Sequence, residues 1–185
     1  MSKTITEKFT PATESVAAEN VTSETTIEHS AQTAESRNEQ AMVLVNSYVP
    51  WSACAGLLPL PMVDMAALVA VQLRMLSKLS DMYNIPFMEN GAKSIVSALL
   101  GTVISTNLGG SLGSLAKAIP FIGSIVGVAV VPGMYSAATY AIGRVFVSHF
   151  EAGGTFLDFD PKKTRAFFIA EFEKAKTQPD LSKAH

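Results

Sequence analysis

The sequence predicts an all-α protein: a helical, membrane-associated bundle with a central Gly-rich hydrophobic hairpin, a disordered N-terminal tail and a C-terminal amphipathic helix. Three observations carry that expectation. From Ser94 to Gly143, fifty residues hold a single formal charge, Lys117, which divides the stretch into charge-free runs of 23 and 26 residues. Upstream, Met65, Val69, Gln72, Leu76, Leu79 and Tyr83 recur at alternating spacings of four and three, the period of one helix face. The opening residues are rich in Thr, Ser, Glu and Ala and poor in large apolar groups.

Composition sets the bounds. The chain has 185 residues, 48 % hydrophobic and 16 % charged, on the apolar side for a globule of this size. Its apolar surface is concentrated between Ala41 and Phe150, which suggests three regions: a tail over 1–36, a hydrophobic helical domain over 37–155, and an amphipathic helix with a tail over 156–185. A net charge of -2 with no dense Lys/Arg block argues against nucleic acid, whose recognition needs a clustered basic surface. Cys54 is the only cysteine, so no intrachain disulfide or thiolate cluster can form, and it reads as a small buried hydrophobe. No secretory signal is expected, because the first thirty residues hold no apolar core.

Element by element, residues 1–39 carry seven Glu, and residues 1–36 have too little apolar surface to offset the entropy of ordering. A first helix is expected from about Arg37 to Pro50. Pro50, Pro59 and Pro61 interrupt the charge-free run that follows, which favours a kinked or re-entrant segment over a straight span. A second helix follows Pro61 and ends near Asn84, before Pro86, with Arg74, Lys78 and Asp81 opposite its apolar face.

A third helix should begin near Met88 or Glu89. Along it Ser97, Gly101, Ser105, Gly109 and Gly113 repeat at every fourth position, a spacing that lets two helix backbones approach closely. Gly109 and Gly110 are a natural end, with the hairpin turn between there and Pro120. The returning helix has Gly123 and Gly127 four apart, and then Pro132-Gly133, which should kink or break it. It stops at Gly153-Gly154. Asp160 stands as an N-cap ahead of Pro161, opening a last helix with Phe168 and Phe172 on one face.

Each charge-free run is long enough to cross a bilayer, since 23 helical residues reach roughly 34 Å against a hydrocarbon core of about 30 Å. Ten Lys or Arg fall in residues 64–93 and 144–185, against Lys117 alone at the turn, so two antiparallel crossings would place both flanks in the cytoplasm.

Catalytic chemistry is hard to find. Gly113 to Lys117 lacks the second glycine of a phosphate loop, and Gly-x-Gly-x-x-Gly is absent. His149-Phe150-Glu151 looks like half of a zinc deaminase site, but the Pro-Cys-x-x-Cys half is missing. His149 reads instead as a snorkelling or capping residue near a helix end. Asp64 reads as a helix N-terminal carboxylate or, with Gln72, as a polar contact inside the bundle. No catalytic residue, metal or cofactor is expected.

Two blocks carry a family resemblance: Leu58 to Gln72, LPLPMVDMAALVAVQ, followed by Leu76, Leu79 and Tyr83; and Gly143 to Asp160, GRVFVSHFEAGGTFLDFD. Over about residues 38–172 the chain resembles the bacterial domain of unknown function 697 family, the YcjF-like inner-membrane proteins. Members often sit beside or are fused to Era-like GTPase domains, which this chain lacks. The resemblance implies a helical component of the bacterial cytoplasmic membrane whose nucleotide chemistry comes from a partner, and it assigns no catalytic residue. The expected function is therefore that of a non-enzymatic anchor or effector for a partner, possible classes being a GTPase or a second copy of the chain. A self-associating pore or remodelling element and a soluble helical interaction domain are the alternatives.

Overall fold

In the computed structural model the described residues are 14–56, 63–108 and 122–177, with side chains described over 32–56, 65–103 and 132–177. Five helices occur among them: α1 (Glu14–Ala55), α2 (Val63–Met82), α3 (Glu89–Leu108), α4 (Ile122–Glu151) and α5 (Pro161–Thr177). The all-α class is as the sequence predicts. The chain divides into two units, residues 1–37 and 38–185. The first holds the opening of α1, and the second is the helical bundle described below.

α1 begins at Glu14, where the sequence suggests disorder as far as Ser36 and a helix only from about Arg37. Helix formation needs no partner surface when breakers are missing, and there is no Gly or Pro between Pro11 and Pro50, while Ala, Glu and Gln are frequent. The helix also outlasts Pro50 and ends at Ala55 rather than stopping. Proline removes one backbone donor near a helix end, a small loss where Val49, Ser52 and Ala55 are buried against the bundle. The expected kinked stretch at Pro59 and Pro61 lies outside the described residues.

α2 keeps its expected face: Gln72, Leu76 and Leu79 are buried, while Arg74, Lys78 and Asp81 are exposed. It closes with Asn84 in the left-handed region at φ 55°. The Asn84 N–H donates to Asp81 O at 3.2 Å and the Ile85 N–H to Ser80 O at 2.8 Å, which satisfies carbonyls left open at the helix end. α4 ends in the same way, with Gly153 at φ 80°, its N–H on Phe150 O and the Gly154 N–H on His149 O, both at 2.9 Å. The predicted stop at Gly153-Gly154 is thus a two-bond closure that needs glycine at the first position. At the second, a Cβ would fall 2.3 Å from the His149 ring.

α4 is the axis of the bundle. From Ala137 to Val147 every residue except Arg144 is buried, as a helix apolar on all sides must be. α5 forms its most extensive packing partner, through Phe168 and Phe172, both fully buried. α3 adds Ile95, Val96, Leu99 and Leu100, and α1 adds Val45, to the same core. The sequence expects Pro132-Gly133 to kink or break this helix, but it is unbroken from Ile122 to Glu151. Pro132 costs one backbone bond, and it is half-buried against the end of α1. A Cβ at Gly56 would lie 3.1 Å from Pro132 N and Cα.

The core corrects the simplest account of the charge-free runs. Among the described residues no helix is long and apolar enough to cross a membrane. The opening of the first run and the close of the second bury their apolar side chains against the protein itself, Ile95 to Val103 from α3 and Ala137 to Ile142 from α4. A stretch free of charge has two physical causes, lipid and a dense protein core. Here the second accounts for both outer ends.

The segment after α4 is held by aromatic packing. Phe146 stacks on Phe159 with centroids 4.8 Å apart and meets Phe150 and Phe156 at 5.6 and 5.5 Å. Phe87 at the α2–α3 connection meets Phe156 edge-on at 5.6 Å. The predicted N-cap is in place, with Asp160 Oδ1 accepting from the Lys162 N–H at 2.9 Å at the start of α5.

Candidate functional site

Among the described residues, a concave surface lies between the second half of α1 and the middle of α2. It is a groove of about 570 Å³ lined by Leu44, Ser47, Tyr48 and Trp51 from α1 and by Val71, Arg74 and Lys78 from α2. Each placement follows from helical period. On α1, Val45, Val49 and Ser52 turn inward to the core, which leaves Tyr48 and Trp51 on the flank toward α2. On α2, Met75, Leu76 and Leu79 turn inward, which places Arg74 and Lys78, one helical turn apart, on the outer flank toward α1. Trp51 is 68 % exposed, far more than a tryptophan that serves a core. Among the described residues no carboxylate pairs with Arg74 or Lys78.

Cys54 lies on the same outward face of α1 and is exposed, contrary to the buried position its Ala neighbours suggest. Helical phase decides this: Ser52 and Ala55 face the core and Cys54 cannot.

The residues singled out in the sequence are dispersed. Ser97 and Gly101 lie exposed on the outer flank of α3, and a Cβ at Gly101 would meet no atom within 4 Å, so neither of these two is packed against another described helix. Ser105 belongs to α3, and Gly123 and Gly127 to α4, but their side-chain surroundings, like Gly109 and Gly113 altogether, lie outside the described residues. Gly101→Leu is accordingly expected to leave the thermal unfolding midpoint of the monomer unchanged. Any change in cross-linked oligomer on that substitution then reports contact between copies.

The helix contact that does need glycine is one that sequence reading missed. At Gly143 a Cβ would stand 2.4 and 2.5 Å from the two Val45 methyl carbons and 3.0 Å from Val45 Cβ, so the α4 backbone seats directly on the Val45 side chain of α1. A lone glycine in an apolar helix gives little signal of this, because its partner Val45 is almost a hundred residues away.

Of the two polar candidates, Asp64 is the second residue of α2, with a side chain outside the described residues. Gln72 is fully buried, and its Nε2 donates to the Thr139 hydroxyl of α4 at 3.3 Å, while its Oε1 has no hydrogen-bond partner. Gln72 and Thr139 thus make a polar contact between α2 and α4 inside the bundle. A second polar pair joins α4 to α5, where Arg144 Nε lies 3.7 Å from Glu171 Oε2.

His149 serves the turn after α4. Its Nε2 lies 2.9 Å from Thr155 O, and because a carbonyl can only accept, that nitrogen carries the proton. The ring meets Phe159 edge-on at 5.0 Å, and the Asp158 carboxylate is 3.8 Å away. Asp158 accepts from both the hydroxyl and the backbone N–H of Thr155. These bonds, the hydroxyl first, hold its carboxyl below the ordinary value. A carboxyl depressed in the fold contributes at pH above its unfolded value, and that contribution is lost as pH falls through the folded one. In an acid titration followed by NMR, the Thr155 amide should therefore shift with a midpoint below that of an unstructured aspartate. Among the described residues no group of three or more His, Cys, Asp or Glu is placed to hold a metal ion.

Comparison with known proteins sets these features in context. Residues 22–176 match the family described as a domain of unknown function, DUF697. The match reaches into the Glu-rich opening of α1, which the sequence resemblance leaves out. Magnetosome membrane protein 22 of Magnetospirillum gryphiswaldense is 40 % identical over 134 residues, covering 72 % of this chain and 69 % of that protein. No solved structure matches the chain.

Proposed function

The chain belongs to the DUF697 family, and on that premise we propose that it is a non-enzymatic membrane protein, held in the cytoplasmic membrane by its central hydrophobic segment and engaging a partner through its polar helices. One observation carries this reading. Residues 104–131, the centre of the charge-free stretch, are rich in apolar and small side chains, and Lys117 is their only charge. A relative named as a membrane protein supports it.

Ten basic residues on the flanks favour the cytoplasmic side for the bundle. A single dye-labelled cysteine at Ser114, in a Cys54→Ser background, tests this in reconstituted vesicles. Nitroxides on the acyl chains should quench it strongly, whereas quenching by aqueous iodide alone would refute the reading.

The partner class implied by the family resemblance is an Era-like GTPase, and affinity capture from native detergent extracts tests it. A second reading, self-association, is favoured by the outward placement of Ser97 and Gly101. It makes a second copy the partner.

A further inference from the structure

We infer that the α1–α2 groove binds the headgroup of an anionic phospholipid. The inference rests on the membrane reading above and adds a specific contact to it.

The groove joins an apolar floor to an unopposed pair of cations. Leu44, Tyr48 and Val71 offer a surface for the glycerol and upper acyl region, and Arg74 and Lys78 stand one turn apart where a phosphate would sit. The described lining contains no carboxylate; Asp81, one turn beyond Lys78 on α2, is exposed but makes no ion pair with it, so the two cations outnumber the acidic groups beside the groove. Trp51 closes the edge with an indole that is mostly exposed, an amphipathic ring suited to the boundary between headgroups and chains.

The surroundings favour a bilayer surface over an acidic peptide. The exposed face of α1 beside the groove runs through Val43, at 59 % exposure, Ser47, Pro50 and Cys54 without a charge. An acidic peptide would find two cations and then a charge-free wall that offers no further partner for its carboxylates beyond the Ser47 and Tyr48 hydroxyls and the Trp51 indole N–H. A lipid headgroup needs only those two cations, and the charge-free face rests on its neighbours.

Trp51 is the only tryptophan, so its emission reports on the groove alone. Full-length protein is reconstituted in phosphatidylcholine vesicles containing equal small fractions of chain-brominated phosphatidylglycerol or chain-brominated phosphatidylcholine. The brominated anionic lipid should quench Trp51 at much lower mole fraction. The double variant Arg74→Gln/Lys78→Gln, at two exposed positions that carry no core contact, should lose that preference by about thirtyfold, about fivefold for each cation. Equal quenching by the two lipids, or a preference that survives in the variant, would overturn the inference. So would a Trp51 response to polyglutamate that phosphatidylglycerol does not produce, since the occupant would then be an acidic segment.

Flotation separates the two readings. If the protein floats with vesicles but Trp51 shows no lipid preference, the embedding stands and the groove assignment fails. If it does not float, the membrane reading fails, and dispersed short-chain phosphatidylglycerol decides the groove on its own: a blue shift of Trp51 abolished by the double variant supports the site, and no shift removes it.

Discussion

Gly143→Ala is expected to destabilise the bundle by about 1–3 kcal/mol, measured by chemical unfolding followed by circular dichroism. The sign is the informative part. In an unconstrained helix interior, Gly→Ala stabilises by about 1 kcal/mol, because alanine has the higher helix propensity. Here the added methyl would fall within 2.5 Å of both Val45 methyl carbons. Those groups cannot step aside, since the β-branched side chain has few rotamers and its own Cβ is only 3.0 Å away, so α1 and α4 must separate. Val45→Ala should cost roughly 1.5 kcal/mol alone, through the two buried methyls it removes. Combined, the two substitutions should cost clearly less than their sum, because the small residue at 45 makes room for the one at 143. Strict additivity would mean that the helices do not meet there.

A larger loss, about 3–5 kcal/mol, is expected for Phe146→Ala. Phe146 is fully buried at the centre of the aromatic cluster and touches rings from its own helix and from the segment between α4 and α5. Its removal deletes packing on several sides at once, and the surrounding rings are too rigid to refill the space. The turn carrying Thr155 and Asp158 should loosen with it, so the Phe156 and Phe159 resonances ought to broaden before global unfolding. A variant that keeps sharp resonances and near-native stability would contradict the central role given to this cluster.

Much of the fold is legible in the sequence, wherever a local signal decides the outcome. The four-and-three spacing from Met65 to Tyr83, the Gly153-Gly154 stop and the Asp160-Pro161 start are each short-range patterns, and each appears where expected. The extent of α1 is less legible because the two ends fail for opposite reasons. Its beginning lacks apolar groups yet also lacks breakers, and its end has a proline that burial of Ser52 and Ala55 outweighs. The packing glycines are least legible. Ser97 and Gly101 advertise themselves by repetition yet face outward, whereas Gly143 is singular and is set by a residue far away in the chain. The groove is similar. Trp51 and the Arg74, Lys78 pair are ordinary in sequence and acquire meaning only when α1 and α2 lie side by side.

The charge-free stretch joins the two scales. Its outer ends belong to the protein core around α4, and its centre is assigned to lipid. Fractionation of cells expressing the full chain, followed by alkaline carbonate extraction of the membranes, tests that assignment most directly. The protein should stay in the carbonate-resistant pellet and leave it only with detergent. Recovery of the native protein in the high-speed supernatant, monodisperse without detergent, would contradict it.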